Sequence, residues 1–367
     1  MSIISERRKS KAETQPTVSK TRPTRRRPIK AALLHGRLLR VKATELPRRR
    51  FLHLAAGAAA VPATSRIAMA QAYPTRPVRF IVPFPPGGST DPAARFIAES
   101  MSRSFGQRVY VENRSGANGI IGIEAAAKSA PDGHTVLVTS NVVITNPYAY
   151  KINTDPLNDL IPVIQLSRQP FVLAVHPALG VNSLAELVAL ARQQLGLSCA
   201  IAGGINSSSM AIEWFARLAG VSFEPVQYRG GGPAILDLIA GHVKIGTADS
   251  TTVIPYYRAG TLRLLAQTTE RRSPRLPDIP TFQDAGINGM VFDQWIGVFV
   301  PAATPAAIVD RLNGEIGKAL ADPAVRQHFL EADQEPVGGS RAQFARFVQE
   351  EYEKYGRLAK ELNIKAE

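Results

Sequence analysis

A short run rich in β-branched and aromatic residues, Val78-Arg79-Phe80-Ile81-Val82, leads straight into Pro83-Phe84-Pro85-Pro86-Gly87-Gly88-Ser89-Thr90-Asp91-Pro92. The run has the length and side chains of a buried strand. Pro92 suits the first position of a helix, where a missing N–H costs nothing, and Asp91 before it is the expected N-cap. Ala93, Phe96, Ile97 and Met101 then share one helical stripe, and Gly106 ends it. Without a Cβ, Gly87 and Gly88 can turn their N–H groups outward and let a ligand approach. A strand, a glycine turn and a helix N-terminus together form an anion cradle. A tight strand-to-helix turn with no ligand is the alternative reading of the same residues.

The pattern repeats along the chain. Arg108-Val109-Tyr110-Val111-Glu112-Asn113 reads as a strand, Arg114-Ser115-Gly116-Ala117-Asn118-Gly119 as a glycine loop and 120–129 as a helix. A turn at Asp132-Gly133 opens a third strand over 134–140. Ser140-Asn141 and Asn146-Pro147-Tyr148 follow its C-terminal end, where open α/β sheets bind ligands. Phe171-Val172-Leu173-Ala174-Val175 is a further strand, and Ser183-Leu184-Ala185-Glu186 is a capping box for a helix to about Gln194. Ser198-Cys199-Ala200-Ile201-Ala202 is a strand, and Gly203-Gly204-Ile205-Asn206-Ser207-Ser208-Ser209 is a second cradle. Pro225-Val226-Gln227-Tyr228 leads to a third loop, Arg229-Gly230-Gly231-Gly232, and residues 243–248 lead to Asp249-Ser250. Trp295-Ile296-Gly297-Val298-Phe299-Val300-Pro301 is again strand-like, and helices begin at Thr304-Pro305, Asp322-Pro323 and a capping box from Ser340 to Gln343. The last of them runs to about Leu362 with one charged face, as a solvated helix lying on a lobe. This alternation predicts α/β layers with a largely parallel sheet, in two lobes that each present glycine or hydroxyl loops.

Charge separates the N-terminal segment from the rest. Residues 1–72 hold 17 of the 44 Lys/Arg and three of the 30 acids, so residues 73–367 carry 27 of each and are neutral. The formal net charge of +14 is therefore no argument for a nucleic-acid partner. Arg48-Arg49-Arg50-Phe51-Leu52, the weakly apolar residues 54–61 and Ala68-Met69-Ala70 or Ala70-Gln71-Ala72 make a secretory signal over 41–72, of twin-arginine type, with cleavage near Ala70 or Ala72 and a periplasmic destination. A membrane anchor is the alternative, which Pro62 and Arg66 oppose by interrupting any longer span. Residues 1–40 are basic and precede a complete signal. They are either a nucleic-acid-binding arm or, as preferred here, an untranslated extension with the true start near Val41. Cys199 is the only cysteine, which excludes an intramolecular disulfide, and reads as a small buried residue.

The chemistry of the loops is uncharged. None of the six histidines lies at metal-ligand spacing from another, and neither a Gly-x-Ser-x-Gly elbow nor a phosphate loop ending in Gly-Lys-Ser/Thr occurs. Gly116, Gly119 and Gly122 approach the dinucleotide fingerprint with the wrong spacing. Backbone N–H groups at helix starts suit a carboxylate, and Ser89, Thr90, Asn118, Ser207 and Ser208 add hydrogen bonds. An ionised Asp91 would repel a carboxylate at close range, so capping is its expected role. Binding without a reaction or cofactor is the reading favoured by these residues.

With these loops in view, residues 73–367 resemble the substrate-binding proteins of tripartite tricarboxylate transporters, the Bug receptors. The matching stretches are Tyr73-Pro74-Thr75-Arg76-Pro77-Val78, Pro85-Pro86-Gly87-Gly88-x-x-Asp91, Glu112-Asn113-Arg114-x-Gly116-Ala117, Asn146-Pro147-Tyr148, Tyr228-x-Gly230-x-x-Pro233-Ala234, Arg272-Ser273-Pro274-x-Leu276-Pro277-Asp278-Ile279-Pro280-Thr281 and Glu335-Pro336-Val337-Gly338-Gly339. The resemblance implies an α/β fold of the two-lobed, type II-like periplasmic binding protein kind, each lobe a sheet flanked by helices, with the ligand cleft between them. It implies a monomeric receptor that closes on a small carboxylate, a di- or tricarboxylate or an aromatic acid, and delivers it to integral membrane transporter subunits. Lobe 1 would comprise 73–174 and 297–367, lobe 2 would comprise 175–296, and the hinges would lie near Ala174 and Gly297. The family's ligand grip, carried over, falls on Pro86, Gly87, Gly88, Ser89, Ser207, Ser208 and Ser209. Phe84, Asp91, Asn118, Ser140, Asn141, Tyr228, Gly230, Asp249 and Trp295 complete the expected site. Two departures bear on the ligand's distal end. Met210-Ala211 stands where relatives often carry a His, which implies a less polar ligand, and Asp249-Ser250-Thr251-Thr252 replaces an Asp-Asn form. The competing functions are an α/β enzyme for a nucleotide or phosphorylated substrate and a ligand-sensing receptor not coupled to transport.

Overall fold

The computed structural model describes residues 73–202, 205–228 and 231–366. The expectations for residues 1–40, for the signal over 41–72, and for Gly203, Gly204, Arg229 and Gly230 lie outside the described residues.

The first lobe opens with β1 (Val78–Val82), α1 (Thr90–Phe105), β2 (Val109–Asn113), a 3-10 turn at Ala117–Gly119 leading into α2 (Ile120–Ala127), β3 (Thr135–Ser140) and α3 (Val142–Ala149). The chain then forms one long strand, β4 (Leu160–Val175). The second lobe holds α4 (Leu184–Gln193), β5 (Ser198–Ala202), α5 (Ser207–Ala219), β6 (Glu224–Tyr228), α6 (Gly231–Ile239), β7 (Ile245–Asp249), α7 (Ser250–Arg258) and β8 (Arg263–Gln267). The chain returns through β9 (Asp293–Pro301) and finishes with α8 (Ala306–Ala321), α9 (Pro323–Glu331), β10 (Glu335–Gly338) and α10 (Arg341–Glu361).

Strand order is β2-β1-β3-β9-β4-β7-β5-β6, with β8 and β10 also paired to β4. Each lobe keeps a parallel trio: β2, β1 and β3 in one, β6, β5 and β7 in the other. The expectation of a largely parallel sheet needs correction, because every pairing made by β4 or β9 is antiparallel. These two strands carry the chain between lobes, and crossing strands that run opposite ways can pair without a crossover helix. β4 pairs with β9 from Leu160 to Pro170 and with β7 from Phe171 onward. β4 thus changes partner at Pro170/Phe171 and β9 begins at Asp293, each a few residues before the expected borders after Ala174 and Ile296. Ala174 sits within the β4–β7 ladder opposite Gly246, and Gly297 lies under Phe344.

The apolar residues explain the layering. β3 is buried at all six positions, as a strand covered on both faces must be. β6 lies at the end of the strand order, is mostly exposed and carries Pro225, a residue tolerated at sheet edges. α10 starts at the expected capping box: Ser340 Oγ accepts from Gln343 N at 3.3 Å and Gln343 Oε1 accepts from Ser340 N at 2.8 Å. Its buried Phe344, Val348, Glu351, Tyr355 and Leu358 recur at three- and four-residue intervals. It is more than a surface helix of one lobe. Arg217 of α5 donates to Glu361 O at 3.1 Å, and one apolar core continues from Phe344 and Tyr355 to Phe215 and Phe282. No described helix is long and apolar enough to cross a membrane.

Candidate functional site

The first loop forms as its glycines require. Gly87 has φ +96°, open to glycine at no steric cost, and the stretch Pro85–Gly88 is exposed, with Phe84 half-buried behind it. α1 begins two residues earlier than expected, at Thr90, with Ser89 as a cap residue that makes no side-chain cap bond. Asp91 is therefore not the N-cap. It lies inside the first turn, buried, and accepts from Arg95 Nε and Nη2 at 3.0 Å each and from Asn113 Nδ2 at 2.8 Å. An acid there complements the helix dipole, and an arginine four residues on can reach it. Asn113 Nδ2 also donates to Phe84 O at 3.0 Å. Asp91 thus builds the loop; its oxygens are already engaged. Ser89 is gripped by two glutamines that sequence reasoning passed over. Gln294 Nε2 reaches its Oγ at 3.4 Å, and Gln334 Nε2 reaches its carbonyl at 2.9 Å.

The loop also depends on Gly122 in α2. A Cβ there would sit 2.7 Å from Arg114 O, 2.8 Å from Pro83 Cβ and 2.9 Å from Pro83 Cα. Gly122→Ala is expected to cost about 1–3 kcal/mol by overpacking against backbone that cannot swing aside. Urea denaturation measures the cost. A neutral result would mean that α2 and the Pro83 turn separate freely.

Asn118, at φ +51°, spends its side chain tying loops together. Its Nδ2 donates to Asn146 Oδ1 at 2.9 Å and to Ile205 O of the second lobe at 3.3 Å, and Asn146 Nδ2 donates back to Asn118 O at 3.2 Å. Ile205 N donates to Tyr150 Oη at 3.1 Å, a second bond between lobes on this flank. On the other flank Thr251 Oγ1 donates to Ala332 O at 2.6 Å, and Ser273 Oγ bonds Asp333.

At the second lobe, Asn206 caps α5. Its Oδ1 accepts from Ser208 N at 3.0 Å, Ser208 Oγ at 2.8 Å and Ser209 N at 3.2 Å, while Ser209 Oγ accepts from Asn206 N at 2.8 Å. Ser208 and Ser209, expected in the ligand grip, are engaged in this local cap; Ser207 is buried beside Tyr355. Met210 is a core residue, 1% exposed. Asp249 caps α7 through Thr252 N at 3.1 Å and Thr252 Oγ1 at 2.8 Å, and burial, with Asp333 nearby, raises its carboxyl above the usual range. Tyr228 turns to its own lobe and donates to Asp237 Oδ2 at 2.8 Å.

Ser140 and Asn141 are buried at the end of β3, as their position predicts. Asn141 Nδ2 donates to Asp293 O at 3.2 Å and to Tyr355 Oη at 3.3 Å. Burial pushes the Asp293 carboxyl up to about 6, against the pull of Arg168 and Lys354. Trp295, kept as a ligand candidate in the sequence, is a core residue. It is fully buried, its ring is 5.9 Å from Phe344 and 5.7 Å from Phe347, and its Nε1 donates to Glu351 Oε2 at 3.3 Å. A tryptophan next to a polar strand end looks the same in sequence whichever face it takes.

Two polar groups thus stand out: Ser89 with the unforeseen Gln294 and Gln334, Gln169 lying opposite Gln294, and Asn141 with Ser207 against Tyr355. Hydroxyls and amides dominate both, which suits reversible binding of a small polar molecule. This is the architecture of a two-lobed solute-binding protein. The chain matches the family described as "Tripartite tricarboxylate transporter family receptor" over residues 93–364, and it belongs to that family. It is 37% identical over 324 residues to the "UPF0065 protein in tcbD-tcbE intergenic region" of Pseudomonas sp. strain P51, covering 87% of this chain and 96% of that one. Among solved structures it is similar to Rpa4515 of R. palustris with adipate, at 33% identity and a TM-score of 0.76, covering 80% of this chain and 100% of the other. It is also similar to MatC of Rhodopseudomonas palustris with bound malate, at 30% identity and a TM-score of 0.71, covering 78% and 100%.

Proposed function

We propose that this chain is a periplasmic receptor that captures a small carboxylate between its lobes and delivers it to integral membrane transporter subunits. The observation that carries the reading is the junction itself. Hydrogen bonds from Asn118 to Ile205, from Ile205 to Tyr150 and from Thr251 to Ala332 draw hydroxyl- and amide-bearing loops of the two lobes together, in a family of receptors whose relatives include structures with adipate and malate. Closure would act where β4 changes partner after Pro170 and where β9 begins at Asp293, since the few residues joining the two ladders can absorb a rotation. Charge agrees with a soluble-ligand role, because residues 73–367 have no basic excess for nucleic acid. The same reading holds that residues 41–72 are a twin-arginine-type leader removed near Ala70 or Ala72, and that the mature protein works as a monomer.

A thermal-shift screen of mono-, di- and tricarboxylates, aromatic acids and neutral sugars tests the substrate class. A ligand at a hundred times its Kd should stabilise the protein by about 2.7 kcal/mol, a rise of several degrees in Tm. Stabilisation by sugars alone, with every carboxylate silent, would overturn the proposal.

A further inference from the structure

Gln169 stands on β4 immediately before Pro170, where the strand passes from one lobe to the other. It is 2% exposed, yet neither Oε1 nor Nε2 has a hydrogen-bond partner among the described residues. Buried amides are nearly always paired, so an amide unmatched at both ends needs a reason. Its register supplies one. Gln169 lies directly opposite Gln294, and opposed residues of paired strands share a face. Gln294 in turn reaches Ser89 of the first loop. Ser167, two residues before Gln169, falls on the same face by strand alternation. It is fully buried with an unpaired Oγ, and it lies in a cross-strand row through Ile296 to Ser140. Asp293, opposite Pro170, alternates to the other face, whereas Asp249, opposite Phe171, falls on the face of Gln169 by the same alternation, its Oδ1 held by Thr252.

The chemistry of the patch restricts what can complete it. Oε1 only accepts, Nε2 only donates, and the Ser167 hydroxyl does either. A carboxylate has only acceptors; it would serve Nε2 and leave Oε1 facing another oxygen. An ammonium has only donors and would fail Nε2. A hydroxyl or a carboxamide offers both. Resting on the carboxylate-receptor reading, we propose that Gln169, supported by Ser167, is a specificity-determining residue that reads a hydroxyl or carboxamide substituent on the carboxylate ligand. This reverses the expectation, drawn from Met210, of a less polar distal end. Met210 itself is buried in the apolar core with Ile212 and Phe215.

Calorimetric titration of matched ligands tests this: succinate against malate and succinamate, and glutarate against 2-hydroxyglutarate and glutaramate. The wild type should bind a hydroxylated or amidated member about tenfold or more tighter than its parent diacid, since a polar site left unmatched penalises the analogue. Gln169→Met, close in size and apolar, should weaken that member about tenfold more than it weakens the parent diacid. A wild type that prefers the unsubstituted diacids overturns the proposal without any variant. A Gln169→Met protein that loses every ligand equally also overturns it, and assigns the amide to an enclosed water or to packing. If the wild type binds none of the six and a sugar instead, the receptor reading itself fails, and this proposal with it.

Discussion

Trp295→Ala is expected to destabilise the protein by about 3–5 kcal/mol, the range for removing a large aromatic side chain from a packed core. The indole sits at the centre of an aromatic group, edge-on to Phe344 and Phe347 and tilted against Phe299, and all three would face the space left behind. The loss extends to Glu351. Its carboxylate is buried, accepts the indole N–H and pairs with Lys354, so the alanine variant deprives a buried acceptor of one donor. Guanidinium denaturation measures the first effect. Calorimetry at a temperature where both proteins are folded measures a second quantity, the ligand affinity. A core role requires a large stability loss with affinity kept within a small factor. The opposite pattern, intact stability and abolished binding, would return Trp295 to the ligand site.

Replacing Asp293 by Asn should stabilise the protein, and only above mildly acid pH. The carboxyl titrates near 6 in the folded chain because burial disfavours its charge more than Arg168 and Lys354 favour it, with Glu351 and Glu335 adding repulsion. Unfolded, it titrates near the ordinary aspartate value of about 4. Below pH 4 both states hold the proton and the group contributes nothing. Between about 4 and 6 the folded state binds more protons, so wild-type stability falls as pH rises, and above about 7 the full penalty stands. A gap of two pKa units corresponds to up to about 3 kcal/mol. The stability difference between Asp293→Asn and wild type should therefore grow from near zero at pH 4 to that order at pH 7.5. A difference that is flat across the range would mean that Asp293 titrates normally.

Much of the scaffold was readable because its causes are local. Strands over 78–82, 135–140 and 198–202 are built around short apolar runs, Phe80–Val82, Val136–Val138 and Cys199–Ala202, the mark of strands covered on both faces. The caps at Ser183 and Ser340 fell where their motifs put them. What stayed hidden has non-local causes. Before Phe171, β4 carries Pro162, Gln165, Ser167, Arg168 and Gln169, a polarity that disguises a strand until the junction it serves is known. β8 was missed as well, since Arg263-Leu264-Leu265-Ala266-Gln267 has no β-branched or aromatic residue to mark a strand. The helix start moved to Thr90 because Arg95 and Asn113 hold Asp91 within the first turn, which no propensity reveals. The site was legible as a set of loops but not residue by residue. Ser208 and Ser209 look alike as ligand donors and as partners of an Asn206 cap, and buried glutamines on strands belong to no motif.

The long shared strand also bears on how the molecule is made. β3 and β4 both lean on β9, which the ribosome supplies only after the entire second lobe. Until Asp293–Pro301 emerges, the early half of the protein exposes two unzipped strand borders, an invitation to aggregate. A gene fragment ending before residue 293 should therefore yield insoluble product, and dissecting this receptor into separately expressed halves is a poor route to either one.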